Sequence, residues 1–151
     1  MRIRAAELKD YPAMLEMAFA FAGADPRKPG FQEQQFANLF LAACTTEVLA
    51  MWVAVQDENI VGMMGAMIYP NLFDHSKETA QELFLWVQPS YRDGTARKGL
   101  ISAFEEWAGE GRRHLLTMPA TVDKKVADRL MRGVGYLPIE GTYCKGYEPC
   151  Q

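Results

Sequence analysis

The sequence predicts an α/β or α+β fold around a mixed central sheet, with elements in the order β-α-α-β-β-β-α-β-α-β. Three observations carry this prediction. Two β-prone runs, residues 48–55 and 60–69, are separated only by the polar Gln56-Asp57-Glu58-Asn59, as in an antiparallel hairpin. An apolar run at 81–87 ends at Pro89 and passes through a short cationic loop with Gly94 into a helical pattern that extends to Ala108. Helical and β-prone segments then alternate to the C-terminal end, the pattern of helices packed on a sheet.

Residues 3–5 suit a short first strand. Asp10 is placed as an N-cap with Pro12 in the first helical turn, and Tyr11, Met14, Leu15, Ala18, Phe19 and Ala22 recur at helical spacing. Gly23 to Gly30, with Pro26 and Pro29, breaks that helix. Phe36, Leu39, Phe40 and Ala43 mark a second helix that ends before Thr45. Gly62 and Gly65 in the second hairpin strand predict a bulge or a close backbone approach, and the Met-rich run around them reads as core. Residues 70–79 read as a polar loop containing His75. After the cationic loop, Leu100, Ile101, Phe104 and Trp107 define the buried face of a helix closed by Gly109 and Gly111. A fifth strand is expected at 114–118, a helix capped by Asp123 as far as Arg132, and a closing strand from Leu137 through Tyr143.

The length of 151 residues, with 49% apolar and 23% charged residues, fits one domain over residues 1–151 with a core that needs no staples. Cys44, Cys144 and Cys150 are an odd count without metal spacing. A Cys144–Cys150 pair is conceivable, but a reducing compartment fits better. The N-terminal residues lack a signal-peptide core and no apolar run reaches membrane-spanning length, so a cytoplasmic location without a membrane partner is expected.

The net charge of −3 is unevenly spread. Residues 1–90 hold 6 basic and 11 acidic side chains, while residues 91–132 hold 9 and 6. A basic segment in an acidic chain suits a small polyanion better than a nucleic-acid duplex. The loop from Arg92 to Arg97 is where such an anion belongs. A strand running into a helix leaves unpaired N–H groups at the helix N-terminus, ready for a phosphate of a nucleotide-like cofactor. The alternative is a solvated helix face.

Val87-Gln88-Pro89-Ser90-Tyr91-Arg92, the loop after it and the helix ending Phe104-Glu105-Glu106-Trp107-Ala108 resemble the acetyl-CoA motif of the GNAT superfamily of N-acetyltransferases. Arg129 to Pro138 resembles that family's closing helix and strand, and the element order is similar over the whole chain. Residues 82–87 together with 135–145 look especially similar to the small bacteriophage-encoded members.

The resemblance implies a sheet with a V-shaped splay into which acetyl-CoA enters as cosubstrate. Backbone groups of Leu85 and Val87 would then pair with its pantetheine arm. The family's loop pattern (Arg or Gln, two residues, Gly, one residue, Gly or Ala) falls on Arg92, Thr95 and Arg97, so two small residues are replaced. Gly94, Thr95, Ala96, Arg97 and Lys98 would surround the pyrophosphate. Thr95 would cap the helix or bond phosphate, and Arg97 would either obstruct the phosphates or pair with them. Lys124 stands where the family often has an Asn near the pantetheine, and Met131 where it has a Tyr acid.

Direct acetyl transfer to an amine needs a base for the ammonium and donors near the thioester oxygen. Glu82, on the strand leading to the loop, is the leading base, although its parity requires a bulge; the alternative is a solvent-facing strand-end carboxylate. Tyr143 is the candidate acid, with a core tyrosine as the alternative. His75 reads as a surface residue and His114 as structural. The acceptor, a small molecule or protein amine, is open; the acidic residues of 1–90 favour a cationic one. The competing reading is a weak or inactive GNAT scaffold that binds CoA or a host protein. A homodimer is compatible with the fold.

Overall fold

A computed structural model of the chain describes residues 1–25, 30–118, 122–143 and 145. Five strands form one sheet in the order β1-β2-β3-β4-β5: Arg2–Ala5, Leu49–Gln56, Asn59–Asn71, Asp74–Val87 and Arg113–Leu115. The first four are antiparallel neighbours, and β5 lies parallel to β4. The helices are α1 (Tyr11–Ala24), α2 (Glu33–Thr45), α3 (Thr95–Ala108) and α4 (Lys124–Arg132). No helix among the described residues is long and apolar enough to cross a membrane.

The period of two along β2 divides the core. Met51, Val53 and Val55 face Met14, Met17, Phe36 and Phe40 of α1 and α2. Trp52 and Ala54 face Leu100, Phe104 and Ala108 of α3. Met63 and Met64, both fully buried, fill opposite faces of β3, so the Met-rich run is core. Asp123 caps α4 as expected, accepting from the N–H groups of Lys125 and Val126 at 2.9 and 3.1 Å.

Several expectations are corrected. The segment 70–79 is not a loop: β3 runs to Asn71 and β4 starts at Asp74, so the turn is only Leu72-Phe73 and His75 lies exposed on a strand. The polar composition that suggested a loop belongs to a two-stranded arm that projects past β2, where both faces meet water. Asp10 does not cap α1 through its side chain; it turns back to Arg4, accepting from Nη1 at 2.6 Å and Nη2 at 2.9 Å, and accepts from the Glu7 N–H. The fifth strand is shorter than expected, ending at Leu115. No strand forms between Leu137 and Tyr143, where Pro138 and Gly141 interrupt the pattern and Leu137, Ile139 and Tyr143 stand exposed. Tyr143 is 99% exposed and is therefore not a core tyrosine. Pro26, Pro29, Cys144 and Cys150 lie outside the described residues.

Candidate active site

β4 is the element that builds the site. Its lower half pairs with β5 only at Thr79–Arg113, Ala80–His114 and Gln81–Leu115. Beyond Gln81 the two strands part, while β4 stays paired with β3 up to Val87. The Gln88 N–H donates to the Val61 carbonyl at 2.9 Å, so its backbone groups face β3. By the alternation of an antiparallel ladder, the backbone groups of Leu85 and Val87 point the other way, into the gap left by β5. That gap is a strand-shaped slot along which, among the described residues, no strand pairs with Leu85 or Val87, although the Val87 carbonyl accepts from a side chain of the following loop.

A bulge precedes the slot. Gly65 pairs with Phe84 and Ala66 with Glu82, leaving Leu83 as the extra residue of β4. The parity of Glu82 asked for this shift. Gly65 is required there: a Cβ on it would lie 2.5 Å from the Phe84 ring. Glu82 is only 7% exposed, and its Oε2 accepts from the Thr117 N–H at 3.0 Å, across the point where β4 and β5 separate.

The loop after β4 folds back on it. Arg92 Nε donates to the Val87 carbonyl at 2.8 Å, and its guanidinium lies 4.7 Å from the centre of the Trp86 ring. Gly94 takes a left-handed conformation at φ 95°, which starts α3 directly at Thr95. Thr95 does not cap the helix as expected; Asp93 Oδ1 accepts its N–H at 2.8 Å. Ala96 is fully buried against the sheet, as a small residue must be there. Arg97 is half-buried, and its Nη1 is enclosed without a hydrogen-bond partner. Lys98 is exposed.

Thus the fold brings Leu85, Val87, Arg92, Gly94, Thr95, Ala96 and Arg97 to one end of the sheet, with Glu82 at the foot of the slot. Lys124, at the start of α4, and Tyr143 are both exposed to solvent, and among the described residues no hydrogen bond or ion pair joins either side chain to that group. His114 is structural, its Nε2 3.0 Å from the Gly109 carbonyl and its ring 5.7 Å from that of Phe104. Sequence reasoning missed Trp86, Asp93 and Thr117. An Asp-Gly pair ahead of a helix was a usable signal for Asp93; Thr117, 35 residues from Glu82, gave none.

Tyr136, behind α3, has a buried hydroxyl whose pKa is raised by burial first and by the neighbouring Glu105 carboxylate second. That hydroxyl lies beside Glu105 without hydrogen-bonding geometry.

The sequence pattern of the Acetyltransferase (GNAT) family matches residues 11–136, most of the chain and every element that shapes the slot. The chain belongs to the GNAT acetyltransferase family. No curated protein sequence matches it. Solved GNAT-fold structures match it from end to end. AAC(6')-Iy, in complex with the bisubstrate analogue CoA-S-monomethyl-acetylneamine, is 18% identical with a TM-score of 0.75, covering 97% of each chain. The aminoglycoside 6'-N-acetyltransferase AAC(6')-IG of Acinetobacter haemolyticus is 16% identical with a TM-score of 0.73, over 98% of this chain and 99% of that one. A predicted acetyltransferase of Clostridium acetobutylicum, solved with acetyl-CoA, is 12% identical with a TM-score of 0.74, over 96% and 95%. At these identities the likeness is one of fold.

Proposed function

We propose that this GNAT protein transfers an acetyl group from acetyl-CoA directly to the nitrogen of an amine acceptor. The observation that carries the reading is the slot between β4 and β5, with the Leu85 backbone and the Val87 N–H facing it and ending at the N-terminus of α3; Arg92 Nε would have to give up the Val87 carbonyl to a ligand that paired with it. An extended chain with amide groups, such as pantetheine, fits that edge as an added strand would. The pyrophosphate would follow at Gly94 to Lys98, where the N–H groups of the first helical turn and the unpartnered Arg97 nitrogen offer donors to an anion. Asp93 would have to give up the Thr95 N–H to such a ligand.

In this reading Glu82 takes a proton from the incoming ammonium, directly or through water. The neutral nitrogen attacks the thioester carbonyl carbon, a C–N bond forms and the C–S bond breaks. CoA leaves as thiolate, stable enough to collect its proton from water or from the exposed Tyr143 hydroxyl; Met131 has none to give. The likeness to phage-encoded members rests on the stretches quoted above and does not bear on the acceptor.

Titration calorimetry with acetyl-CoA, followed by a thiol-reagent assay for CoA release with a panel of amines, tests the proposal. Saturable binding and amine-dependent CoA release are expected. No binding at millimolar acetyl-CoA overturns it. Binding without turnover on any amine would favour the second reading, a CoA-binding scaffold, for which Met131 and the Asp93 contact speak.

A further inference from the structure

The open end of the slot is occupied by the protein itself. Val87 ends β4, and its backbone groups face the gap because the Gln88 N–H after it turns to the Val61 carbonyl of β3. No strand pairs with Val87 on that side, yet its carbonyl accepts from Arg92 Nε at 2.8 Å. Between the two residues the chain reverses through one helical turn, Pro89–Tyr91. The Tyr91 N–H donates to the Gln88 carbonyl at 2.9 Å, and the Tyr91 side chain packs against the core that holds Leu100 and Phe104. The backbone up to Tyr91 is thus anchored, while the Arg92 side chain beyond it is exposed. Its guanidinium lies 4.7 Å from the centre of the half-buried Trp86 ring, and among the described residues no carboxylate forms an ion pair with it.

A chain of amides that enters the slot as an added strand needs the Val87 carbonyl as an acceptor. Arg92 therefore stands in competition with it. A neutral chain offers the guanidinium nothing in return, so it must break a charge-assisted bond and leave the arginine to water. A chain that continues into a phosphate is different. Guanidinium and phosphate match in charge and in bidentate geometry, a stronger pairing than a single bond to a carbonyl. Arg92 precedes the first residue of α3, Thr95, by three residues, and that helix start is where the pyrophosphate stands in the acetyl-transfer reading. Release of the carbonyl and capture of the phosphate are then one rotation of a solvent-exposed side chain.

Resting on that reading, we propose that Arg92 is a specificity-determining latch: it closes the Val87 carbonyl to phosphate-free acyl-pantetheine chains and yields it to one that carries a pyrophosphate. Calorimetry compares the parent with Arg92→Met, which keeps an unbranched chain beside Trp86 but has neither donor nor charge. The two ligands are S-acetylpantetheine and acetyl-CoA. S-acetylpantetheine should bind the variant about tenfold more tightly, the worth of one freed hydrogen bond. Acetyl-CoA should bind it about fivefold more weakly, because the guanidinium–phosphate pair outweighs the carbonyl bond it replaces. Opposite signs for the two ligands mark the latch. An arginine that only holds the loop in shape would weaken both ligands when replaced, and one that only meets phosphate would leave S-acetylpantetheine unchanged; either result overturns the proposal. So does a variant that binds S-acetylpantetheine more weakly than about 10 mM. Arg92→Ala gives the same comparison should the Met variant fail to fold. Where the parent binds acetyl-CoA and the signs do not oppose, the latch alone falls; a parent that does not bind acetyl-CoA overturns the acetyl-transfer reading and the latch with it.

Discussion

The Glu82 carboxylate accepts the Thr117 N–H at 3.0 Å, and the two residues face each other where β4 and β5 cease to pair. One group therefore holds the fork and is offered as the base. The two roles separate by substitution. Glu82→Gln keeps an oxygen for Thr117, so the melting temperature should stay within about 2 °C. Its kcat should fall about 10²–10³-fold, the usual contribution of a positioned base. Glu82→Ala, by contrast, removes the acceptor of the Thr117 N–H, which lies at an exposed residue, and should cost about 1 kcal/mol in urea unfolding, the net worth of one hydrogen bond. A Gln variant with unaltered kcat would remove Glu82 from the chemistry.

Gly65 and Phe84 share the bulge that turns β4 toward the slot. A methyl on Gly65 would meet the ring at 2.5 Å, and the ring is buried against those of Phe21 and Phe36. Gly65→Ala should therefore destabilise by about 1–3 kcal/mol, as overpacking does. Because the register of Glu82 depends on this bulge, kcat should drop together with stability. Substitution of Gly94 acts differently. Nothing lies within 4 Å of an added Cβ, so Gly94→Ala meets only the left-handed backbone penalty of about 1 kcal/mol.

What was legible in the sequence was periodic. The 3.6-residue stripes of α1, α2 and α3 and the hairpin of β2 and β3 follow from local pattern, and so does the strand–loop–helix unit that forms the candidate site. What was not legible depends on partners distant in sequence. A strand with both faces in water has a loop's composition, which hid the arm at 70–79. The Arg4–Asp10 pair diverted an apparent N-cap. Leu137 and Ile139 alternate like strand residues, yet alternation specifies a strand only where a neighbour takes its hydrogen bonds, and they lie in water.

The Arg4–Asp10 pair sets an acid limit on stability. Hydrogen bonding from the guanidinium is the chief cause that holds the Asp10 carboxyl below its ordinary 3.8, and the carboxylate is 3% exposed. A depressed folded pKa stabilises above the unfolded value and loses that contribution as pH falls through the folded one. Urea midpoints should thus stay flat down to about pH 5 and decline below 3.8. Asp10→Asn should cost about 2 kcal/mol at neutral pH, the worth of a charge-assisted bond. The difference from the parent should vanish at the acid end; a constant difference at every pH would mean that packing, not charge, is what Asp10 supplies.

Arg97 sets stability against binding. An enclosed Nη1 without a partner is a cost that the free protein carries, and an anion at the start of α3 would remove it. Arg97→Leu keeps the aliphatic contacts and deletes the orphaned nitrogen. Unfolding free energy should rise by about 1 kcal/mol. Acetyl-CoA affinity should fall about tenfold, and its dependence on salt should weaken with the loss of one charge. Calorimetry at two salt concentrations, beside thermal melts, reads both effects. Tighter binding by the variant would show that the guanidinium obstructs the slot. Unchanged affinity with raised stability would place the side chain away from any phosphate, leaving backbone N–H groups to hold it.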